Sequence, residues 1–251
     1  MSKNLTNTDY QSLMKQALVD LKEMRTKLDY LERTKTEPIA IIGMGCRFPG
    51  GADNPEAFWQ LLHNGVNAII EVPKSRWNID TYYDVNPDVP GKISTRYGGF
   101  LDRVSTFDPQ FFGISPREAV SLDPQQRLIL EVSWEALENA NQVPEQLFKS
   151  KTGVFVGIGS SDYSQQNLLT RTPAEIDAYL ATGNSHSMAS GRLSYLLGFT
   201  GPSLSVDTAC SSSLVTVHLA CQSLRNRECN LALAGGVNVL LSPEISVTLS
   251  K

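Results

Sequence analysis

Apolar residues near the start of the chain recur at Tyr10, Met14, Ala17, Leu21, Met24, Leu28 and Leu31, spaced 4, 3, 4, 3, 4 and 3. This is a heptad seam, with Met14, Leu21 and Leu28 at a positions and Tyr10, Ala17, Met24 and Leu31 at d. Thr8 followed by Gln11 reads as a capping box at its start. No glycine or proline interrupts the segment before Pro38. A lone helix of this length is marginal in water, so the seam needs a partner. A parallel homodimeric coiled coil satisfies it, and a helix laid back on the next domain is the alternative.

From Glu37 the rhythm changes. Pro38-Ile39-Ala40-Ile41-Ile42-Gly43-Met44-Gly45-Cys46 reads as a buried strand running into glycines. A dinucleotide fingerprint would need glycine at 48, where Phe48 and Pro49 stand, so these glycines are taken as a tight strand-to-loop turn. Asn54 and Pro55 predict a helix start, with Phe58, Leu61 and Leu62 inward and Gly65 closing it. Residues 71–110 are loop-rich, with a short edge strand over Arg96–Leu101. Ser115-Pro116-Arg117-Glu118 and Asp123-Pro124-Gln125-Gln126 read as capping boxes with proline at the first helical position. The second opens a helix through Ala140, with Ile129, Val132, Ala136, Leu137 and Ala140 inward and Arg127, Glu131, Glu135 and Glu138 solvated.

Thr152–Gly157 is an apolar central strand closed by glycine, followed by a polar stretch over residues 158–185 and a helix over Ser187–Leu197. A short strand, Leu204–Val206, leads into Cys210 and three serines. Leu214, Val217, Cys221 and Leu224 then mark one face of a buried helix, and Asn230–Leu241 is a strand with a bulge or close-packed glycine pair. Strand, helix and strand at this spacing make a β-α-β unit, so the fold class is α/β.

The 251 residues suffice for one large or two small domains, and 41% apolar with 19% charged residues fits a globular protein. A net charge of −4 gives no case for nucleic acid or an anionic membrane. Cys46, Cys210, Cys221 and Cys229 form no C-x-x-C pair, and with three histidines no metal site is expected. There is no secretory signal pattern and no apolar run near 18 residues, which points to a reducing cytoplasm suited to free thiols.

Cys210 is the candidate for chemistry. A thiol at a helix start faces unpaired backbone N–H groups and the positive end of the dipole, which stabilise negative charge on sulfur. The same N–H groups suit an oxyanion formed when sulfur attacks an acyl carbonyl. The alternative is a small buried hydrophobe, the usual state of free cysteine. His218, eight residues on, would lie ~12 Å along a regular helix and cannot reach the sulfur, and His186 reads as polar surface.

Gly201, Val206, Ala209-Cys210, Ser211-Ser212-Ser213 and Val217 together resemble the active-site signature of β-ketoacyl synthases. The run Val206–Leu214 is similar to that in ketosynthase domains of modular type I polyketide synthases. Pro38–Gly51 and Phe111–Arg127 resemble further stretches of the same domains. The resemblance implies an incomplete thiolase-like α/β fold over residues 37–251, its N-terminal half, preceded by a docking helix over residues 1–36. It implies Cys210 as the catalytic nucleophile, no directly bound cofactor, and substrates carried on the phosphopantetheine of acyl carrier proteins. Other implied partners are a second copy of the chain and an upstream synthase subunit held through residues 8–33.

The family also uses two histidines, in a His-Gly-Thr-Gly-Thr and a later Gly-His string followed by lysine, and none of these occurs before Lys251. The chain is therefore expected to be a fragment that cannot condense acyl groups alone. A non-catalytic docking module and a chain-starting condensing enzyme are the alternatives, the heptads arguing against the latter.

Overall fold

A computed structural model describes residues 7–250. Helix α1 spans Asn7–Lys35 and belongs to a unit that ends at Ala40. Its start places Thr8 inside the helix rather than at the cap, and the side chains of Thr8 and Leu31 lie outside the described residues. The other seam residues with large side chains, Tyr10, Met14, Leu21, Met24 and Leu28, are all more than half exposed.

The second unit begins at Ile41. It runs through α2 (Pro55–His63), β1 (Ile69–Glu71), α3 (Ile79–Tyr82), β2 (Tyr97–Gly99), α4 (Pro116–Ser121) and α5 (Pro124–Asn139). It continues through β3 (Thr152–Gly157), α6 (Asp162–Thr170), α7 (Ala178–Asn184), α8 (Ser187–Leu197) and β4 (Ser203–Val206). It closes with α9 (Ser212–Arg225), β5 (Leu231–Gly236) and α10 (Glu244–Leu249).

The central sheet has the order β4-β3-β5, and both neighbours run parallel to β3. All six residues of β3 are buried, as a strand covered on both faces requires. Val154, Val156 and Ile158 point into a core with Ile129, Leu130 and Leu137 of α5 and Ala189 and Leu193 of α8. Gly153 and Gly157, of the opposite parity, face Cys229 and the start of α9. Helices therefore cover both faces, and β4-α9-β5 is the expected β-α-β unit. The edge strand near residue 96 is β2, paired antiparallel with β1.

Helix caps follow the sequence closely. Asn54 Oδ1 accepts the Ala57 N–H at 2.8 Å, and Ser115 Oγ accepts that of Glu118 at 3.2 Å. The Glu118 carboxylate pairs with the nearly buried Arg192 of α8 at 2.5 Å.

Several expectations are corrected. Residues 38–46 form no strand among the described residues, and Ile41 is 81% exposed, with Ile42 and Met44 exposed beside it. Gly43 and Gly45 do not make a turn: a Cβ on either would stand 2.4 or 2.6 Å from carbonyl oxygens of α5, so they permit the backbone to lie directly on that helix. Helix α9 turns the other way round. Its buried residues are Ser212, Thr216, Ala220 and Ser223, while Leu214 is 74% exposed and Val217 exposed. The sheet comes so close that only small side chains fit beneath the helix, so the first half of the apolar stripe, Leu214 and Val217, faces outward, while Cys221 and Leu224 are half-buried.

On α2, Leu62 is exposed. On α5, Glu135 pairs with Arg47, and Arg127 donates to the Leu122 carbonyl at 2.8 Å, so neither is simply solvated. The final strand stops at Gly236, and beyond it Val239 and Leu241 are buried with Val104 and Leu128.

Candidate active site

The β4 strand ends at Val206 and hands the chain to a turn tied by its own polar groups. Asp207 Oδ1 accepts the Ala209 N–H at 2.9 Å. Ser212 Oγ accepts the Thr208 N–H at 2.9 Å and donates to the Ala209 carbonyl at 2.7 Å. Ser211 Oγ donates to the Thr208 carbonyl at 2.8 Å. Two of the three serines that follow the cysteine are thus ties of the turn.

Ala209 has φ +55°, a left-handed conformation that costs a non-glycine residue about 1–2 kcal/mol. This sharp bend puts Cys210 at the apex, on a 3₁₀ turn over Ala209–Ser211, two residues before α9 begins. The Cys210 backbone N–H has no acceptor among the described residues.

The turn sits at the carboxyl ends of three parallel strands, where open α/β sheets place their ligand sites. It is seated tightly. A Cβ on Gly157 would stand 2.8 Å from the Ser212 carbonyl carbon, and one on Gly236 would stand 2.7 Å from Ser213 Cβ.

Of the four cysteines, Cys210 alone is exposed. Cys229 is buried against Ser223 Oγ at 3.3 Å, and burial pushes the Cys46 thiol up, toward the unreactive form. His218 lies on the exposed side of α9. His186 is not free surface: it is half-buried, with Nε2 3.1 Å from the Ser160 carbonyl. Neither histidine is hydrogen-bonded to Cys210 among the described residues.

An open cavity of about 620 Å³ lies elsewhere, lined by Arg47, Asp108, Phe111, Glu131, Trp134 and Glu135 among others, with no residue of the cysteine turn. Burial pushes the Glu131 carboxyl there up. No cluster of three His, Cys, Asp or Glu side chains suited to a metal ion occurs among the described residues. No helix among them is long and apolar enough to cross a membrane.

The geometry is thus an exposed thiol on a strained strand-to-helix turn, seated on a parallel α/β sheet. Residues 36–251 match the family model described as "Beta-ketoacyl synthase, N-terminal domain", and the chain belongs to that family. Its sequence is of the polyketide synthase kind.

It is 55% identical over 215 residues to a component of the phenolphthiocerol/phthiocerol polyketide synthase of Mycobacterium tuberculosis (strain CDC 1551 / Oshkosh), covering 86% of this chain and 12% of that protein. Another component of that synthase in the same strain is 54% identical over 214 residues, covering 85% and 14%. The chain thus spans about an eighth of the length of these relatives.

Among solved structures, the oxazolomycin ketosynthase domain OzmH KS7 of Streptomyces albus JA3453 superposes with a TM-score of 0.76 at 39% identity, covering 84% of this chain and 36% of that one. The ketosynthase from module 6 of the bacillaene synthase from Bacillus subtilis 168 gives 0.71 at 39% identity, covering 84% and 33%. These likenesses make the fold thiolase-like and incomplete, as about a third of a ketosynthase chain would be.

Proposed function

We propose that Cys210 is the acyl acceptor of a polyketide ketosynthase. The observation that carries this reading is its exposed position at the apex of the Ala209 bend, with its own N–H open. The Cys210 sulfur, its proton released to solvent, attacks the carbonyl carbon of an acyl thioester carried on the phosphopantetheine of a carrier protein. The oxyanion that forms is met by the Cys210 N–H. The bond to the pantetheine sulfur then breaks, that sulfur takes a proton, and the acyl group remains on Cys210 as a thioester.

Condensation with a malonyl-type extender belongs to the longer synthase. It calls on the two histidine strings, which residues 1–251 do not contain. The outward Leu214 and Val217 of α9 and the bared Ile41, Ile42 and Met44 then pack against the remainder of such a synthase. Helix α1 pairs through its exposed seam, either with its copy in a homodimer or with the tail of the synthase protein upstream. One relative aligned over 97% of this chain takes in most of that helix, which supports its being part of the shared architecture. Free thiols suit a cytoplasmic setting.

Incubating the chain with an acyl-pantetheine thioester and weighing it intact should show one acyl adduct, with pantetheine released. Cys210→Ala should show none, with its melting temperature unchanged because the side chain is exposed. An adduct of equal yield on Cys210→Ala removes Cys210 from the chemistry.

A further inference from the structure

Behind the cysteine turn lies a buried polar group that the acyl transfer itself does not use. Gln125, 1% exposed at the start of α5, spends its whole side-chain amide on two residues. Its Nε2 donates to the Ser160 carbonyl at 3.0 Å and to Asp123 Oδ2 at 3.2 Å, while its Oε1 accepts the Ser160 hydroxyl at 2.8 Å. His186 Nε2 lies 3.1 Å from the same Ser160 carbonyl. Asp123, also 1% exposed, is fixed in turn by the Gln125 N–H and by its own N–H to the Gly183 carbonyl at 2.9 Å.

Ser160 lies near the far end of the short loop that leaves β3, one residue before the Ser161 cap of α6. At the other end of that loop the Ile158 N–H donates to the Val206 carbonyl at 3.1 Å. Between them, Gly159 passes so close to Asp207 that a Cβ would stand 2.8 Å from Oδ1, the oxygen that holds the Ala209 N–H. The loop is pinned to β4 at one end and to Gln125 at the other, and its middle backs the carboxylate that sets the bend before Cys210.

We infer that Gln125 is a positioning residue for the nucleophile, acting through Ser160, Gly159 and Asp207 on Ala209 and Cys210. The inference rests on Cys210 being the acyl acceptor. An amide is suited to this place because one group must donate to a carbonyl and accept from a hydroxyl of the same residue. A carboxylate there has no donor, and leucine has neither.

The test is the rate of acylation of the chain by an acyl-pantetheine thioester over a range of concentrations, read by intact mass, with thermal melting alongside. Gln125→Leu should lower the limiting rate about tenfold or more, since small misplacements of a reacting group are costly. The half-saturating concentration should stay unchanged, because Gln125 does not touch the substrate. Ser160→Ala should slow the reaction less, and the double variant should be no slower than Gln125→Leu alone, as one shared connection requires.

A folded Gln125→Leu chain acylated at the wild-type rate overturns the inference, as does a double variant in which the two losses multiply. If Gln125→Leu does not fold, Ser160→Ala decides: a slowed limiting rate at an unchanged melting temperature supports the inference, and the wild-type rate overturns it. A wild-type chain that takes no acyl group, or a Cys210→Ala chain that takes it equally, overturns the acyl-acceptor reading first and this one with it.

Discussion

In the turns that open α5 and α9, an aspartate carboxylate accepts the backbone N–H two residues on, Asp123 from Gln125 at 2.8 Å and Asp207 from Ala209 at 2.9 Å. Asp123 is followed by Pro124, whose ring holds φ near −65°, so the helix begins at once and the cap is buried. Asp207 is exposed and is followed by Thr208 and then Ala209 at φ +55°, so the helix waits until Ser212. The same hydrogen bond therefore serves two ends. Where the next residues accept helical φ it caps a structural helix. Where one of them is forced left-handed, it lifts the following side chain clear of the fold.

The strongest way to break this contrast is to crowd the second turn from below. Gly157→Val places side-chain atoms where the Ser212 backbone already lies, and should destabilise by about 1–3 kcal/mol. Chemical denaturation measures the loss, and acylation of the surviving folded fraction should fall with it.

Next come the two aspartates. Asp123→Ala should cost about 2 kcal/mol, because it removes a cap and leaves the buried Gln125 N–H without its acceptor. Asp207→Ala should cost about 0.5–1 kcal/mol in the same measurement, since water reaches that turn. Equal losses would mean that burial does not separate the two turns.

Titration sharpens the difference. Burial pushes the Asp123 carboxyl above its ordinary range, against the lowering effect of its Gln125 hydrogen bonds. The folded chain then keeps that proton to higher pH than the unfolded chain does. Its contribution to stability is present at acid pH and is lost as pH rises from about 4 through the raised folded value. Denaturation from pH 4 upward should show the wild type losing ground to Asp123→Asn, and a constant gap between them would contradict this.

The smallest effect is a gain. Ala209→Gly removes the Cβ penalty at φ +55° and should stabilise by about 0.5–1 kcal/mol, read as a higher denaturant midpoint.

The fold was legible wherever a segment meets its whole environment within this chain. Thr152–Gly157 and Ser187–Leu197 emerge with the boundaries expected, because β3 is covered on both faces and α8 on its core side. Asn54, Ser115 and Asp123 were readable because a cap is a local bond. Apolar periodicity misled at Ile41–Ile42 and at Leu214–Val217, where it marks a face to be covered without saying by what. Gly43 and Gly45 looked like a turn because the contact that needs them, with the α5 carbonyls, is some 90 residues away along the chain.

At the candidate site, Cys210 stood out through its serines and the strand before it. His186, Ser160 and Gln125 carried no such sign, since their meeting depends on three separate elements converging.

The placement of β3 between two later strands also sets a schedule for synthesis. Its six buried residues leave the ribosome before β4, and β5 follows about 75 residues after β3. At roughly 5–20 residues per second, that interval is about 4–15 s, during which one edge of the most buried strand has no neighbour. A segment rich in Val and Phe and free of charge invites pairing with another chain in that time. Slowing elongation between residues 157 and 231 should therefore lower the soluble yield of this protein, and speeding it should raise that yield.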